Sequence, residues 1–202
     1  MGKKPEVYEL YEHIADWFDS VRNRDLIEKE YLNIVSSNLK ENAQILDLGC
    51  GAGEPLAKFF IEKGHHVTGV DGSSNMLAMC IRRFPEMEWI RGDMRTISLK
   101  RKFDAIIAWD SFFHLSHKDQ RDMFQIFHDH INVGGVLVFT SGPEYGEVYS
   151  NMEGHEFYHA SLDAQEYIEL LNKYGFEVLI HKIEDPDCGE HTVWVAKCLK
   201  KH

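Results

Sequence analysis

Residues 45–55 read Ile45-Leu-Asp-Leu-Gly-Cys-Gly-Ala-Gly-Glu-Pro55. An apolar run carries an acidic residue near its end, three alternating glycines follow, and Pro55 suits the first turn of a helix. Strand, tight turn and helix in that order form the opening unit of a doubly wound α/β domain that holds a nucleotide at the turn. Glycines there let the backbone bend sharply and approach a ligand with no Cβ in the way. A dinucleotide site sets the helix N-terminus against a pyrophosphate, and its G-x-G-x-x-G pattern keeps that entrance small and uncharged. Here Glu54 stands where the last glycine belongs, and Asp47 lies just before the turn. Two carboxylates repel a dianion and favour an ammonium or sulfonium, so the turn predicts a nucleoside with a cationic tail.

Outward from this turn, short apolar runs at Gln44–Leu48, His66–Val70, Glu88–Ile90, Phe103–Trp109 and Val136–Thr140 read as buried strands separated by helical spacings, which predicts a mostly parallel sheet. Ahead of them, Leu10, Tyr11, Ile14, Trp17, Phe18 and Val21 recur at helical spacing, as do Ile27, Tyr31, Ile34, Val35 and Leu39, so the first quarter is predicted helical. Ser116-x-x-Asp119 opens a helix whose stripe runs through Met123, Phe124, Phe127 and Ile131 and which Gly134-Gly135 should end. Asp163-x-x-Glu166 forms a second capping box, with Gly175 as the stop. The last two strand candidates, Phe176–Ile183 and Thr192–Cys198, are joined closely enough to predict an antiparallel hairpin.

Acidic residues recur at the strand tips. Asp71 ends the second strand, where a carboxylate accepts from both ribose hydroxyls and disfavours the extra phosphate of NADP. Asp93, after the third strand, is placed to accept from an adenine amino group while Met94 packs on the ring.

The 202 residues, 44% hydrophobic and 27% charged, fit one ordinary globular domain. A net charge of -11 opposes nucleic-acid binding, and the one dense basic run, Lys100-Arg101-Lys102, reads as a solvated loop. No signal peptide or membrane-length apolar run is seen, and the four scattered cysteines suit reduced thiols, so a cytoplasmic protein is expected.

The chain resembles the class I S-adenosylmethionine-dependent methyltransferases, in particular the small stand-alone enzymes with a type 11/25-like domain. The likeness runs from about Ile45 to Ala196 and rests on Leu46-Asp-Leu-Gly-Cys-Gly-Ala-Gly53, Val67-Thr-Gly-Val-Asp71, Gly92-Asp-Met94, Phe103–Asp110 and Gly134-Gly-Val-Leu-Val-Phe139. It implies a Rossmann-like seven-stranded sheet in the order 3-2-1-4-5-7-6 with strand 7 antiparallel. A helical cap over 1–42 would lie on a core over 43–202 that carries a substrate-side insertion at about 143–162. The resemblance also implies that S-adenosylmethionine is the cofactor and a small molecule the acceptor. Asp47, Gly49, Cys50, Gly51, Asp71, Gly72, Met76, Asp93, Met94 and Trp109 would surround the cofactor, and Tyr11 and Trp17 would face the acceptor.

Methyl transfer from a sulfonium is an in-line displacement with a neutral leaving group, and a base is needed only if the acceptor must lose a proton. His114, just beyond the fourth strand, is the candidate base, with Asp110 as an orienting or cofactor-contacting carboxylate; the competing role for His114 is packing or capping. Phe113, Tyr158 and His159 are candidates for the acceptor pocket, against plain structural roles. His155 with His159, which share a face if helical, and Cys188 with His191 are conceivable metal-ligand pairs without a completing set, so no metal is expected. The alternatives are a non-catalytic cofactor-binding module and an NAD-dependent oxidoreductase, which Asp47 and Glu54 oppose.

Overall fold

The computed structural model describes residues 6–199. Its centre is a seven-stranded sheet in the order β3-β2-β1-β4-β5-β9-β8. The strands are β1 (Gln44–Leu48), β2 (His66–Asp71), β3 (Glu88–Arg91), β4 (Phe103–Ala108), β5 (Ile131–Ser141), β8 (Phe176–Asp185) and β9 (His191–Cys198). The first five pair in parallel, and β9 runs antiparallel to both β5 and β8. With two intervening strands outside the sheet, this is the Rossmann-like order 3-2-1-4-5-7-6.

Alternation along the strands divides the core between two faces. Leu46, Ile106, Leu137, Phe139 and Trp194 meet Phe124 and Phe127 of α5 (His117–His130) and Tyr167 of α6 (Ala164–Lys173). Ile45, Val67, Ile107, Val138 and Val195 meet Tyr31, Leu32 and Val35 of α2 (Lys29–Ser37) and Phe59 and Phe60 of α3 (Leu56–Glu62). Burying each large apolar side chain contributes about 1.5–3 kcal/mol. Both predicted capping boxes form their first bond: Ser116 Oγ accepts from the Asp119 N–H at 3.2 Å and Asp163 Oδ1 from the Glu166 N–H at 2.8 Å.

Two sequence expectations are corrected. Helix α5 stops at His130, and Gly134-Gly135 lies inside β5. There the register jumps from Phe103↔Ile131 to Ala105↔Val136. Gly134 takes φ +84°, and a Cβ on Gly135 would sit 3.0 Å from the Asp104 carbonyl oxygen, so these glycines serve a bulge and not a helix stop. The insertion, which would pair His155 with His159 along a helix, is a hairpin of β6 (Gly146–Met152) and β7 (His155–Ser161). Glu153 (φ +50°) and Gly154 (φ +78°) make its turn, and the glutamate hides the usual Asn-Gly signal.

The remaining helices are α1 (Val7–Val21) and α4 (Ser74–Arg83). Helix α1 spans the tips of the parallel strands, with Leu10 and Ile14 packed on Phe157 of β7. Among the described residues no helix is long and apolar enough to cross a membrane.

Candidate active site

A cavity of about 590 Å³ opens at the carboxyl ends of the parallel strands, between α1, the glycine turn and the β6–β7 hairpin. Its floor is the turn after β1, where Gly49, Gly51 and Gly53 take φ of +77°, +52° and +79°. A Cβ on Gly49 would lie 2.3 Å from Ser111 Cβ, whereas one on Gly51 would meet no atom within 4 Å. Gly49 therefore serves close packing, and Gly51 leaves room for a ligand.

Asp71 ties the turn to the tip of β2: its Oδ2 accepts from the Gly51 N–H at 2.9 Å and its Oδ1 from the Ser73 N–H at 2.8 Å. Burial raises its pKa above the ordinary carboxylate value despite these bonds. Asp47, on β1, lines the same cavity at 5% exposure. Burial, then the charge of Asp71, pushes its carboxyl up to about 7. Asp93 also lines the cavity; burial would raise its pKa, but the Arg95 guanidinium, donating to Oδ1 through Nε and to Oδ2 through Nη2, holds it below the ordinary value.

Glu54 has a different setting from the one its position in the turn suggests. Lys58 at 3.1 Å, Arg24 at 3.2 Å and Arg83 at 3.6 Å surround its carboxylate, so its charge is largely matched within the protein. The negative field at the turn comes instead from Asp47 and Asp71.

At the tip of β4, Asp110 (φ +48°) accepts from Arg22 Nη1 at 2.9 Å and from His191 Nε2 at 2.8 Å, while its own N–H donates to Thr140 Oγ1. The Nδ1 of His191 faces the Cys188 carbonyl at 2.6 Å. Both ring nitrogens thus face acceptors, which calls for the imidazolium, and the Asp110 bond raises its pKa accordingly. Burial would raise the Asp110 carboxyl, but His191 and Arg22 hold it low. Asp110 is therefore not the partner of His114. The Nδ1 of His114 lies 2.9 Å from the Tyr158 carbonyl and its Nε2 lies 3.2 Å from the Tyr11 hydroxyl. Burial pushes its pKa down to about 4, so the ring is neutral near pH 7 and a weak base.

Of the other residues singled out in the sequence, Cys50, Gly72, Met76, Met94, Trp109, Tyr11 and Tyr158 line the cavity. Trp17, Phe113 and His159 do not. Trp17 packs against Leu10, Ile14 and Phe157, while Phe113 stacks on His159, whose Nε2 is 2.8 Å from Ser150 Oγ. Cys188 and His191 meet through a backbone carbonyl, and no group of three or more His, Cys, Asp and Glu among the described residues is placed to hold a metal.

Sequence reasoning missed how α1 is fastened. Glu12 Oε2 accepts from Ser73 Oγ at 2.6 Å and the Asn75 N–H at 3.0 Å, Asp19 pairs with Arg83 at 2.6 Å, and Tyr8 covers Gly72. Arg22 carried a readable signal, because Tyr11, Ala15, Phe18 and Arg22 fall on one helical stripe that points at the site. His191 carried none beyond its neighbour Cys188.

A model described as a methyltransferase domain matches residues 45–135. An uncharacterized methyltransferase of Oceanobacillus iheyensis is 26% identical over 191 residues, covering 91% of this chain and 82% of that protein. The dTDP-3-amino-3,4,6-trideoxy-alpha-D-glucopyranose N,N-dimethyltransferase of Streptomyces venezuelae is 30% identical over 137 residues, covering 65% of this chain and 57% of that protein. The chain thus spans little more than half the length of that second relative. Among solved structures, the DhpI–SAH complex superposes with a TM-score of 0.73 at 17% identity, covering 96% of this chain and 95% of that one.

Proposed function

We propose that this chain, a class I S-adenosylmethionine-dependent methyltransferase, transfers a methyl group to a small-molecule acceptor held between α1 and the β6–β7 hairpin, leaving S-adenosylhomocysteine. The observation that carries this reading is the meeting, in one cavity, of an open glycine turn with carboxylates on or after β1, β2 and β3. A cofactor with a ribose, an ammonium and a sulfonium suits that set, and a pyrophosphate does not. When bound, it supplies an electrophilic methyl on sulfur.

In this reading Gly49, Cys50 and Gly51 would line the methionine portion, with Asp47 favouring its positive charge. Asp71 would accept from the ribose, with Gly72 beside it. Met76, Asp93 and Met94 would surround the adenine, and Trp109 would close the cofactor side at β4. Tyr11 and Tyr158 would face the acceptor. Of the described residues, 6–42 would act as a cap on a single domain whose core is 43–199. Enclosure by α1 excludes water and holds the reactants in line, which is most of what a displacement of this kind requires. Four free, buried cysteines accord with a reducing compartment, and we place the protein in the cytoplasm.

Calorimetric titration tests the reading. S-adenosylhomocysteine should bind and NAD should not; NAD binding with no response to S-adenosylhomocysteine would overturn it. Homocysteine-nucleoside release on incubation with S-adenosylmethionine and a metabolite extract separates an enzyme from a mere binding module.

A further inference from the structure

The acceptor's chemical class is written in the direction of one hydrogen-bond chain. The Tyr158 carbonyl only accepts, so Nδ1 of His114, 2.9 Å away, carries the proton. With the ring neutral, Nε2 presents a lone pair, and the Tyr11 hydroxyl at 3.2 Å donates to it. The single proton of Tyr11 is thereby committed, and its oxygen remains for other partners as an acceptor alone. Tyr11 and His114 both line the cavity, alongside Asp71 on the cofactor side and Asp110 at the tip of β4.

The charge around that oxygen has the same preference. Nine carboxylates and two arginines line the cavity. Both arginines are already paired, Arg22 with Asp110 at 2.9 Å and Glu28 at 3.5 Å, and Arg95 with Asp93, Glu6 and Asp119. Several of those carboxylates are matched in turn, Glu54 by Lys58, Arg24 and Arg83 and Asp110 by Arg22 and His191, so what disfavours an anionic acceptor is that both arginines of the lining are already taken.

Resting on the methyltransferase reading above, we propose that the acceptor is an amine whose N–H donates to Tyr11 Oη, with His114 acting through Tyr11 as a positioning residue. The uncharged amine uses its lone pair to form the N–C bond while the C–S bond breaks and its electron pair stays on sulfur. An alkylamine arrives mostly as ammonium and first loses one proton to solvent; in the transfer itself positive charge passes from sulfur to nitrogen, which keeps its remaining protons, so no base within the site is consumed. A hydroxyl, far less acidic than an ammonium, would have to surrender its proton to a base within the site, and the nearest imidazole nitrogen is both weakly basic and already bonded to Tyr11. A carboxylate has no proton to offer Tyr11.

The test uses the whole protein saturated with S-adenosylhomocysteine and probes matched in carbon skeleton: benzylamine against benzoate, and cyclohexylamine against cyclohexanecarboxylate, titrated by calorimetry at pH 8. Both amines should bind and both carboxylates should not. Binding of the carboxylates, or of neither set, overturns the amine assignment while leaving the methyltransferase reading intact. If S-adenosylhomocysteine itself fails to bind, that reading falls and the inference with it. Tyr11→Phe should weaken the amines about tenfold, the loss of one hydrogen bond, and change S-adenosylhomocysteine affinity less than twofold. His114→Leu should do the same, and His114→Gln, whose amide oxygen can take the place of Nε2, should restore amine binding. Unchanged amine affinity in Tyr11→Phe, or no difference between the two His114 variants, refutes the role of the chain.

Discussion

The carboxyl of Asp47 should make both stability and cofactor affinity depend on pH. It ionises near 3.8 in an unfolded chain and, through burial and then the charge of Asp71, near 7 in the folded protein. Between those values the folded protein keeps a proton that the unfolded chain has lost, so stability falls as pH rises through this window. The separation amounts to at most about 4 kcal/mol. Asp47→Asn has no charge to desolvate, so urea unfolding without ligand should find it about 2–4 kcal/mol more stable than the parent at pH 8, with little difference at pH 4. Binding a cation reverses the preference, because the carboxylate then gains a partner. From pH 5.5 to 7.0 the ionised fraction of Asp47 rises from about 3% to about one half, so affinity for S-adenosylmethionine should rise about fifteenfold, in a range where the ligand's own amino group stays protonated. Calorimetry in buffers of different ionisation enthalpy would count the proton released. An affinity flat over that range, together with an Asp47→Asn protein no more stable than the parent at pH 8, would refute the reasoning.

Gly49→Ala should fail to fold or lose much of its stability, since its Cβ would collide with Ser111 at 2.3 Å; circular dichroism reads this directly. Gly51→Ala meets only open space and a positive φ, so it should unfold at a midpoint within about 1–2 kcal/mol of the parent while S-adenosylhomocysteine affinity falls at least about tenfold. Phe112→Ala, between Phe124, Phe127 and Phe139, should cost about 3–5 kcal/mol in urea unfolding. His191→Ala removes one of two cations from Asp110 and should cost about 1–3 kcal/mol near pH 6. The raised pKa of His191 gives that contribution its sign: it is fully present below about 6.5 and is lost as pH rises through the folded value.

The parallel core was legible because its strands are short runs with apolar centres, and the floor of the cavity because glycines and tip carboxylates sit in fixed order along the chain. The β6–β7 hairpin was not, since Glu153 occupies its turn and β6 is mostly exposed, leaving no clear alternation to read. Gly134-Gly135 misled for a related reason: the pair looks the same whether it ends a helix or forms a bulge, and only the strand register tells the two apart. Glu54 shows the limit of local sequence. Its sign was plain and Lys58 lies only four positions on, but Arg24 and Arg83, which complete the balance, lie 30 and 29 positions away. The Tyr158-to-Tyr11 chain runs through a main-chain carbonyl, which no side-chain pattern announces.

The hairpin shares no backbone pairing with the seven-stranded sheet, and α1 is fastened by side chains to α4 and its N-cap Ser73. The two walls that would face the acceptor are thus separable parts attached to the frame of the sheet. Grafting α1 and the hairpin together onto another sheet of this kind should carry acceptor preference with them, whereas moving either alone should break the packing of Leu10 and Ile14 on Phe157 and leave the chamber without a fitted wall.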